Sequence, residues 1–214
     1  MIVEVIGGTV IVVSAALGIA IKKHKEVKQK NAEIEALRRS LNGYAETYSF
    51  EKADEELIKK CQAKIKELFH NGIEKEFNKY QTIEERKAFA QKVVSELAKC
   101  MNVKVDKIKI EDLGPCTRGV AVPDNGEVTI YLNEVILVAD PEQLVKTMCH
   151  ELKHCVQYQA LTNNVWNYSP QRLAQYLYSW ERYVSCDSIE SYEAYVKQII
   201  EIDANKFADR IFNV

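Results

Sequence analysis

The sequence predicts an α+β protein with an N-terminal transmembrane helix, a helical region, and a C-terminal domain in which a small antiparallel sheet packs on one helix. Three observations lead to this fold class. Residues 5–21 form a long uncharged run. Residues 50–101 repeat apolar side chains at helical spacing, whereas residues 103–132 change to short segments typical of strands. At 214 residues the chain is long enough for one core with a small appendage.

Composition excludes some classes of partner. The formal net charge of −2 gives no reason to expect binding to nucleic acid. The six cysteines include no CxxC pair; they are Cys61, Cys100, Cys116, Cys149, Cys155 and Cys186. Cys149 and Cys155 lie on one predicted helix and face away from each other, so they cannot pair. We expect free thiols rather than a disulfide framework.

Residues 1–22 are predicted to form a membrane anchor. The uncharged run, together with Ile2 and Val3, gives about 20 apolar residues, which is close to the span of a bilayer. Its three glycines suit a membrane helix better than a soluble one. A cleaved signal peptide and a buried core helix are alternatives. A signal peptide usually begins with basic residues, but no Lys or Arg precedes this run.

Basic residues follow the anchor and predict its orientation. Five lysines lie within residues 22–30, and Arg38 and Arg39 come next. The positive-inside rule therefore places the remaining chain in the cytoplasm. Residues 23–48 are predicted to be a basic juxtamembrane helix and linker; a solvated continuation of the helix explains the same lysines.

Residues 49–101 are predicted to be a helical region. Apolar residues recur at helical spacing between residues 50 and 70; they are Leu57, Cys61, Ile65 and Leu68. Residues 82–85 read Thr-Ile-Glu-Glu, a capping box that predicts a further helix ending near Met101. His70 lies near a helix end and is interpreted as a surface residue rather than a ligand.

The domain at 102–214 begins with short strands. Residues 103–110, 119–123 and 127–132 have the alternation or extended character of strands. The Asn125-Gly126 step predicts a hairpin between the last two. We therefore expect a small antiparallel sheet that ends just before the next helix.

That next helix carries two histidines on one face. Asp140 and Pro141 supply an N-cap and a proline at the first helical position, which predicts a helix from residue 141 to about residue 161. His150 and His154 are four residues apart, so both imidazoles point the same way and can hold one metal ion. Glu151 would then lie beside a metal-bound water. A pair of core histidines with other partners is the alternative.

A zinc site of this kind needs a third protein ligand and an open position for water. No histidine follows His154, so a later carboxylate is expected. Glu201 and Asp203 lie in an apolar helix, where an unpaired carboxylate would be unfavourable. Glu201 has the longer reach and is the favoured ligand, and Asp203 would then orient a histidine N–H. The sequence leaves the choice between the two open.

These residues predict a hydrolytic mechanism. Zinc would lower the pKa of a bound water toward about 7, and Glu151 would take its proton and pass it to a leaving amine. Tyr158, Tyr192 and Tyr195 are candidate donors to the oxyanion, with simple packing as the alternative for each. Residues 129–132 would supply an edge strand for an extended peptide.

Four segments also match a known pattern. They are residues 128–133, residues 150–154 with Gln157, Trp180 with Tyr183, and residues 201–208, which read Glu-Ile-Asp-Ala-Asn-Lys-Phe-Ala. Over residues 127–208 the chain resembles the short bacterial gluzincins, single-domain zinc peptidases related to the ImmA/IrrE type. The resemblance implies a zincin-like minimal metallopeptidase domain with zinc as its cofactor. It also implies that His150, His154 and Glu201 are ligands and that Glu151 is the base.

The chain departs from this pattern in several places. Lys153 puts a charge inside the motif, and we expect its flexible side chain to reach the surface. No proline precedes Glu201, so the last helix could begin earlier than usual. The anchor and residues 23–100 have no counterpart in the resemblance, which therefore does not indicate the substrate.

The sequence thus predicts a membrane-anchored zinc metallopeptidase that acts on a peptide or protein. One alternative is a regulatory protease dedicated to a single protein, such as a repressor. Another is a catalytically silent, zinc-binding, membrane-tethered interaction module. Glu151 argues against the silent module, because a structural zinc site has no use for a base.

Overall fold

The helix that carries His150 lies at the centre of the described structure and contacts elements on several sides. The computed structural model describes residues 48–114, 117–124, 126–185 and 189–212, which belong to a compact unit that begins at Tyr48. The helices are α1 (Lys52–Leu68), α2 (Ile73–Phe77), α3 (Ile83–Met101), α4 (Ile136–Ala139), α5 (Pro141–Ala160), α6 (Pro170–Glu181), α7 (Ile189–Val196) and α8 (Ile199–Phe212). The strands are β1 (Lys107–Glu111), β2 (Gly119–Asp124) and β3 (Glu127–Asn133).

Helices α1 and α3 match the predicted helical region closely. At the start of α3, Glu85 N–H donates to Thr82 Oγ1 at 3.2 Å and Thr82 N–H donates to Glu85 Oε2 at 3.0 Å, so the predicted capping box is confirmed. The helix ends at Asn102, whose φ of 56° is the left-handed conformation that Asn tolerates. The short α2 between them was not predicted; its buried Phe77 packs against Phe89.

The helical region and the C-terminal region lie in the same compact unit. Helix α1 packs against α3 and α8, and α3 packs against α5. Buried apolar side chains of α3, among them Val93, Val94 and Leu97, belong to one hydrophobic cluster with those of α5. Residues 49–101 therefore contribute directly to the core around the motif helix.

The sheet is mixed, and the prediction of an antiparallel sheet was wrong for β1. The strand order is β1-β3-β2. The predicted hairpin is confirmed, since β2 and β3 pair antiparallel, but β1 pairs parallel to β3. Because β2 pairs along one edge of β3, β1 pairs along the other edge. Strand alternation reports which residues face the core, and it does not report strand direction.

The same topology corrects the prediction of the edge strand. Residues 129–132 lie in β3, the central strand, so their backbone is paired on both sides. The edge strand beside α5 is β2 instead. Its backbone groups alternate in direction: the C=O of Arg118, directly before β2, accepts from Asn133 N–H in β3, whereas the amide of Ala121 faces Glu151 of α5. The outward-facing groups of β2 therefore lie next to the motif helix.

Helix α5 begins and ends almost as predicted. Asp140 Oδ1 accepts from Gln143 N–H at 2.9 Å, and Pro141 occupies the first helical position. The predicted apolar stripe is buried; it comprises Leu144, Met148, Leu152 and Val156. The rest of the helix is also largely enclosed, including several polar residues of the motif. The short helix α4, which was not predicted, lies between β3 and α5 in the sequence.

Two predictions concern residues outside this part of the chain. None of the helices described here is both long enough and apolar enough to cross a bilayer, and the predicted anchor at residues 1–22 lies outside the described residues.

Among the cysteines, Cys61, Cys100, Cys149 and Cys155 are free, as expected, and Cys61 Sγ lies 3.9 Å from Cys100 Sγ. Cys116 and Cys186 also lie outside the described residues.

Candidate metal centre

His150, His154 and Glu201 converge at the contact between α5 and α8. The Nε2 atoms of the two histidines are 3.0 Å apart. Glu201 Oε2 lies 3.4 Å from His150 Nε2, and Glu201 Oε1 lies 3.4 Å from His154 Nε2. One ligand atom from each residue falls within 4.8 Å of the others, so the three could hold a metal ion.

Glu201 reaches the histidines because α8 lies along α5 with its apolar face inward. Ile200, Ala204, Phe207 and Ala208 of α8 are buried, and Glu201 shares their side of the helix. Helix α8 begins at Ile199, which puts Glu201 in its first turn and only 1% exposed. Of the two predicted carboxylates, Glu201 is the one that meets the histidines.

The geometry and the donor set fit a metal ion. Glu201 Oε2 is buried and makes no hydrogen bond within the described residues. A buried carboxylate oxygen without a donor is unfavourable unless a cation lies beside it. Two imidazole nitrogens and one carboxylate oxygen are a ligand set that zinc uses, with bond lengths of about 2.0–2.2 Å. The observed separations allow an ion between the three side chains at distances of that order.

His154 and Glu201 each shift the pKa of the other toward the charged form. Burial alone would lower the pKa of His154, but the Glu201 carboxylate raises it to about 9. Burial opposes ionisation of Glu201, yet the two histidines hold its pKa well below the ordinary range. The site therefore places a negative carboxylate against positive charge, and a metal cation could replace that positive charge.

His154 is held in the orientation that a ligand needs. Its Nδ1–H donates to Gln157 Oε1 at 2.8 Å. The amide of Gln157 cannot face the other way, because its Nε2 donates to Ile200 C=O at 3.0 Å and to Asp203 Oδ2 at 2.8 Å. These bonds leave Nε2 of His154 directed at Glu201 and His150.

Contrary to the prediction from the sequence, Asp203 does not bond to a histidine directly, because Gln157 lies between it and His154. It is buried and acts on His154 only through Gln157. Gln157 was noted in the resemblance but was not assigned this role. The spacing of three residues from His154 on a helix could have indicated it, because such residues share a face.

Glu151 lies beside the metal cluster in a water-poor environment. Its side chain is only 4% exposed and lies against Gly119 at the start of β2. Burial raises the pKa of Glu151, and the nearby histidines and the facing amide of Ala121 offset part of the rise. A carboxylate with a raised pKa is better matched to accepting a proton near neutral pH than an ordinary one.

A cleft of about 480 Å³ opens onto His150 and Glu151. Its walls come from the start of β2, the middle of α5, the segment after α6, and α7. A small recess of about 80 Å³ continues from it toward His154 and Glu201. Trp180, Tyr183 and Tyr195 line this recess, so its walls are largely aromatic.

The three tyrosines predicted as possible donors to the oxyanion lie in different positions relative to the metal centre. Tyr195 lies close to Glu201, and burial together with that carboxylate raises its pKa. Tyr192 lines the cleft but is 57% exposed. Tyr158 lies away from the cleft, with its ring 6.0 Å from that of Trp180.

Tyr183 was not predicted as a site residue, although its hydroxyl donates to Glu201 Oε1 at 3.5 Å. Its ring stacks on Trp180 with 6.1 Å between centroids. Only the Trp180 and Tyr183 pair in the family resemblance pointed to it, because the segment after α6 has no periodicity that orients a side chain.

The prediction that the side chain of Lys153 reaches the surface was wrong. Its side chain does not reach the surface but is 0% exposed, with its ammonium next to Asp54 and Asp203. Snorkelling requires a route to water, and helices α1, α6 and α8 close that route here.

Comparisons with models of protein families, with curated proteins and with solved structures found no match to this chain.

Proposed function

We propose that the protein is a zinc-dependent metallopeptidase. The observation that carries the proposal is the convergence of His150, His154 and Glu201 from two helices, with Glu151 beside them in an open cleft. A structural zinc site is normally closed by four protein ligands, whereas three ligands next to a cleft leave a position for water or substrate.

The residues of the chain have separate tasks in the proposed reaction. When bound, zinc supplies a Lewis acid that activates water and polarises a carbonyl group. Glu151 takes a proton from the attacking water and delivers it to the leaving amine, because its carboxylate lines both the cleft and the recess beside the ligand cluster. Tyr183 and Tyr195 stand next to Glu201 and can donate to the carbonyl oxygen as charge develops on it.

The edge strand β2 suits an extended peptide. Its outward-facing backbone at Gly119 borders the cleft and the recess, next to the Ala121 amide that faces Glu151. A peptide that pairs with this edge would pass over Glu151 and the ligand cluster. Peptide and protein substrates are therefore the class that we propose.

Metal dependence is the first test of the proposal. We expect the full-length protein to purify with about one zinc ion per chain and to cleave a mixture of unstructured peptides. A zinc chelator should abolish cleavage, and added zinc should restore it. Plasma-emission metal analysis and mass spectrometry of the peptides measure the two quantities. His154→Ala, prepared identically, controls for contaminating proteases, and equal cleavage by this variant would contradict the proposal.

Gly119 gives a test of the geometry around Glu151. A Cβ atom at this position would lie 2.8 Å from Thr147 Cγ2 and 3.0 Å from Glu151 Cγ. We expect Gly119→Ala to displace Glu151 or β2 and to lower kcat/KM about 10- to 100-fold, because small misplacements of a reacting group are costly. Zinc content should not change.

A second substitution sharpens this test. Thr147→Ser removes the Cγ2 atom while keeping the hydroxyl that donates to Gln143 C=O at 2.8 Å. Thr147→Ser alone should resemble the wild type, and Gly119→Ala combined with Thr147→Ser should recover part of the lost activity. Full activity in Gly119→Ala alone would mean that Glu151 and β2 need not be held together.

The membrane anchor remains part of the proposal on sequence grounds. The apolar run before the basic cluster predicts that residues 1–22 attach the protein to a membrane, with the catalytic unit on the cytoplasmic side. Peptides or proteins at that surface would then be the substrates within reach.

A further inference from the structure

Four charged side chains are buried together behind the metal centre. Lys153, Asp54 and Asp203 are 0% exposed, and Arg172 is 1% exposed. Lys153 Nζ lies 2.5 Å from Asp54 Oδ1 and 3.2 Å from Asp203 Oδ2. Arg172 Nη1 lies 3.6 Å from one oxygen of each aspartate. With two cations and two anions, this buried charge cluster is neutral overall.

Tyrosine hydroxyls complete the cluster. Tyr168 donates to Asp54 Oδ1 at 2.7 Å, and Tyr176 donates to Asp203 Oδ2 at 2.6 Å. The hydroxyl of Tyr48 also donates to Asp203. Lys153 Nζ donates to Tyr168 Oη at 2.7 Å. The aspartates are thus held by several donors from α5, α6 and the segments that precede α1 and α6.

The cluster is connected to a metal ligand. Asp203 Oδ2 accepts from Gln157 Nε2, and Gln157 Oε1 accepts from His154 Nδ1. Lys153 and His154 are neighbours in α5 but point in different directions, Lys153 toward the cluster and His154 toward Glu201. A continuous path of hydrogen bonds and ion pairs therefore runs from Asp54 in α1 to the imidazole of His154.

Stability alone is a poor explanation for such a cluster. Replacing buried ion pairs with apolar side chains of similar volume is often neutral or stabilising, because the ions lose their hydration. What a fixed cluster provides is orientation, and partners that orient a ligating histidine affect metal affinity.

We propose that Asp54 and Lys153 are positioning residues for the metal centre. Together they fix Asp203, which holds the amide of Gln157 and so directs Nε2 of His154 at the metal. Helix α1 then helps to orient a metal ligand, although Asp54 lies 99 residues before Lys153. This inference rests on the proposed metal centre.

The test compares zinc affinity with thermal stability. We would make Asp54→Asn and Lys153→Met in the full-length protein, with Glu56→Gln in α1 as the matched control, because Glu56 is exposed and its ion pair, with Lys52, lies at the surface. Zinc affinity is measured by competition with a chromophoric chelator, and the ligand field by the visible spectrum of the Co²⁺ form. We expect about 10- to 100-fold weaker zinc binding and an altered Co²⁺ spectrum in both variants, and no change in the control.

A double variant separates positioning from folding. Asp54→Leu with Lys153→Met removes one anion and one cation, so the remaining pair stays neutral. We expect this variant to regain the wild-type melting temperature without regaining zinc affinity. Wild-type zinc affinity in the folded double variant, or in Asp54→Asn, would overturn the inference.

The two proposals can fail separately. If the wild type cleaves peptides but the Asp54 and Lys153 variants bind zinc normally, the positioning role is wrong and the peptidase stands. If zinc affinity depends on the cluster but no peptide is cleaved, the positioning role stands and the peptidase is wrong.

Discussion

Glu151→Gln is expected to lower peptide cleavage by about 10²- to 10⁴-fold while zinc stays bound, because general-base catalysis contributes about that much. Gln has nearly the same shape as Glu but cannot accept a proton at neutral pH. Glu151 is not one of the converging ligands, so the metal cluster should be unchanged. The measurement is kcat/KM on one identified peptide, together with metal analysis of the same preparation.

The control for this substitution lies on the same helix. Glu142→Gln changes an exposed carboxylate in the first turn of α5, away from the cleft. We expect it to leave both cleavage and zinc content as in the wild type. If Glu151→Gln cleaves as fast as Glu142→Gln, another group accepts the proton and the proposed mechanism is wrong.

Glu201→Ala is expected to weaken zinc binding by more than about 100-fold. Loss of a residue that only hydrogen-bonds to a metal ligand already lowers metal affinity by about 10- to 100-fold, and Glu201 is itself a proposed ligand. It would leave two histidines, which alone do not make the three-ligand site that catalytic zinc uses. Removing the carboxylate also removes the main cause of the raised pKa of His154. Protonation should then compete less with any residual metal binding to the histidines.

Competition with a chromophoric chelator measures this effect. Glu193→Gln is the matched control, because Glu193 is an exposed residue of α7 that pairs with Lys197. Unchanged zinc affinity in Glu201→Ala would show that the third ligand is a different group and would remove the main support for the proposed centre.

The parts of the fold that the sequence predicted well depend on neighbouring residues. The cap of α3 at Thr82, the cap of α5 at Asp140 and the β2–β3 hairpin each depend on a few consecutive side chains. The placement of His150 and His154 on one face follows from helix geometry alone. For the same reason, these features could be predicted before any tertiary contact was known.

The errors concern contacts between distant parts of the chain. Whether β1 runs parallel or antiparallel depends on the path of the connection after it, which alternation does not encode. The burial of Lys153 depends on Asp54, which is far away in sequence and shows no local pattern with it. The choice between Glu201 and Asp203 likewise depended on how α8 is rotated against α5.

The place of Asp54 in the buried charge cluster also defines the smallest fragment worth expressing. A fragment that begins at residue 102 would keep every proposed ligand but lose Asp54, Tyr48 and the apolar faces of α1 and α3. Lys153 would lose both the carboxylate of Asp54 and the helix that helps to bury it, and would keep its ion pair with Asp203. A fragment for crystallisation and solution work should therefore begin no later than Tyr48.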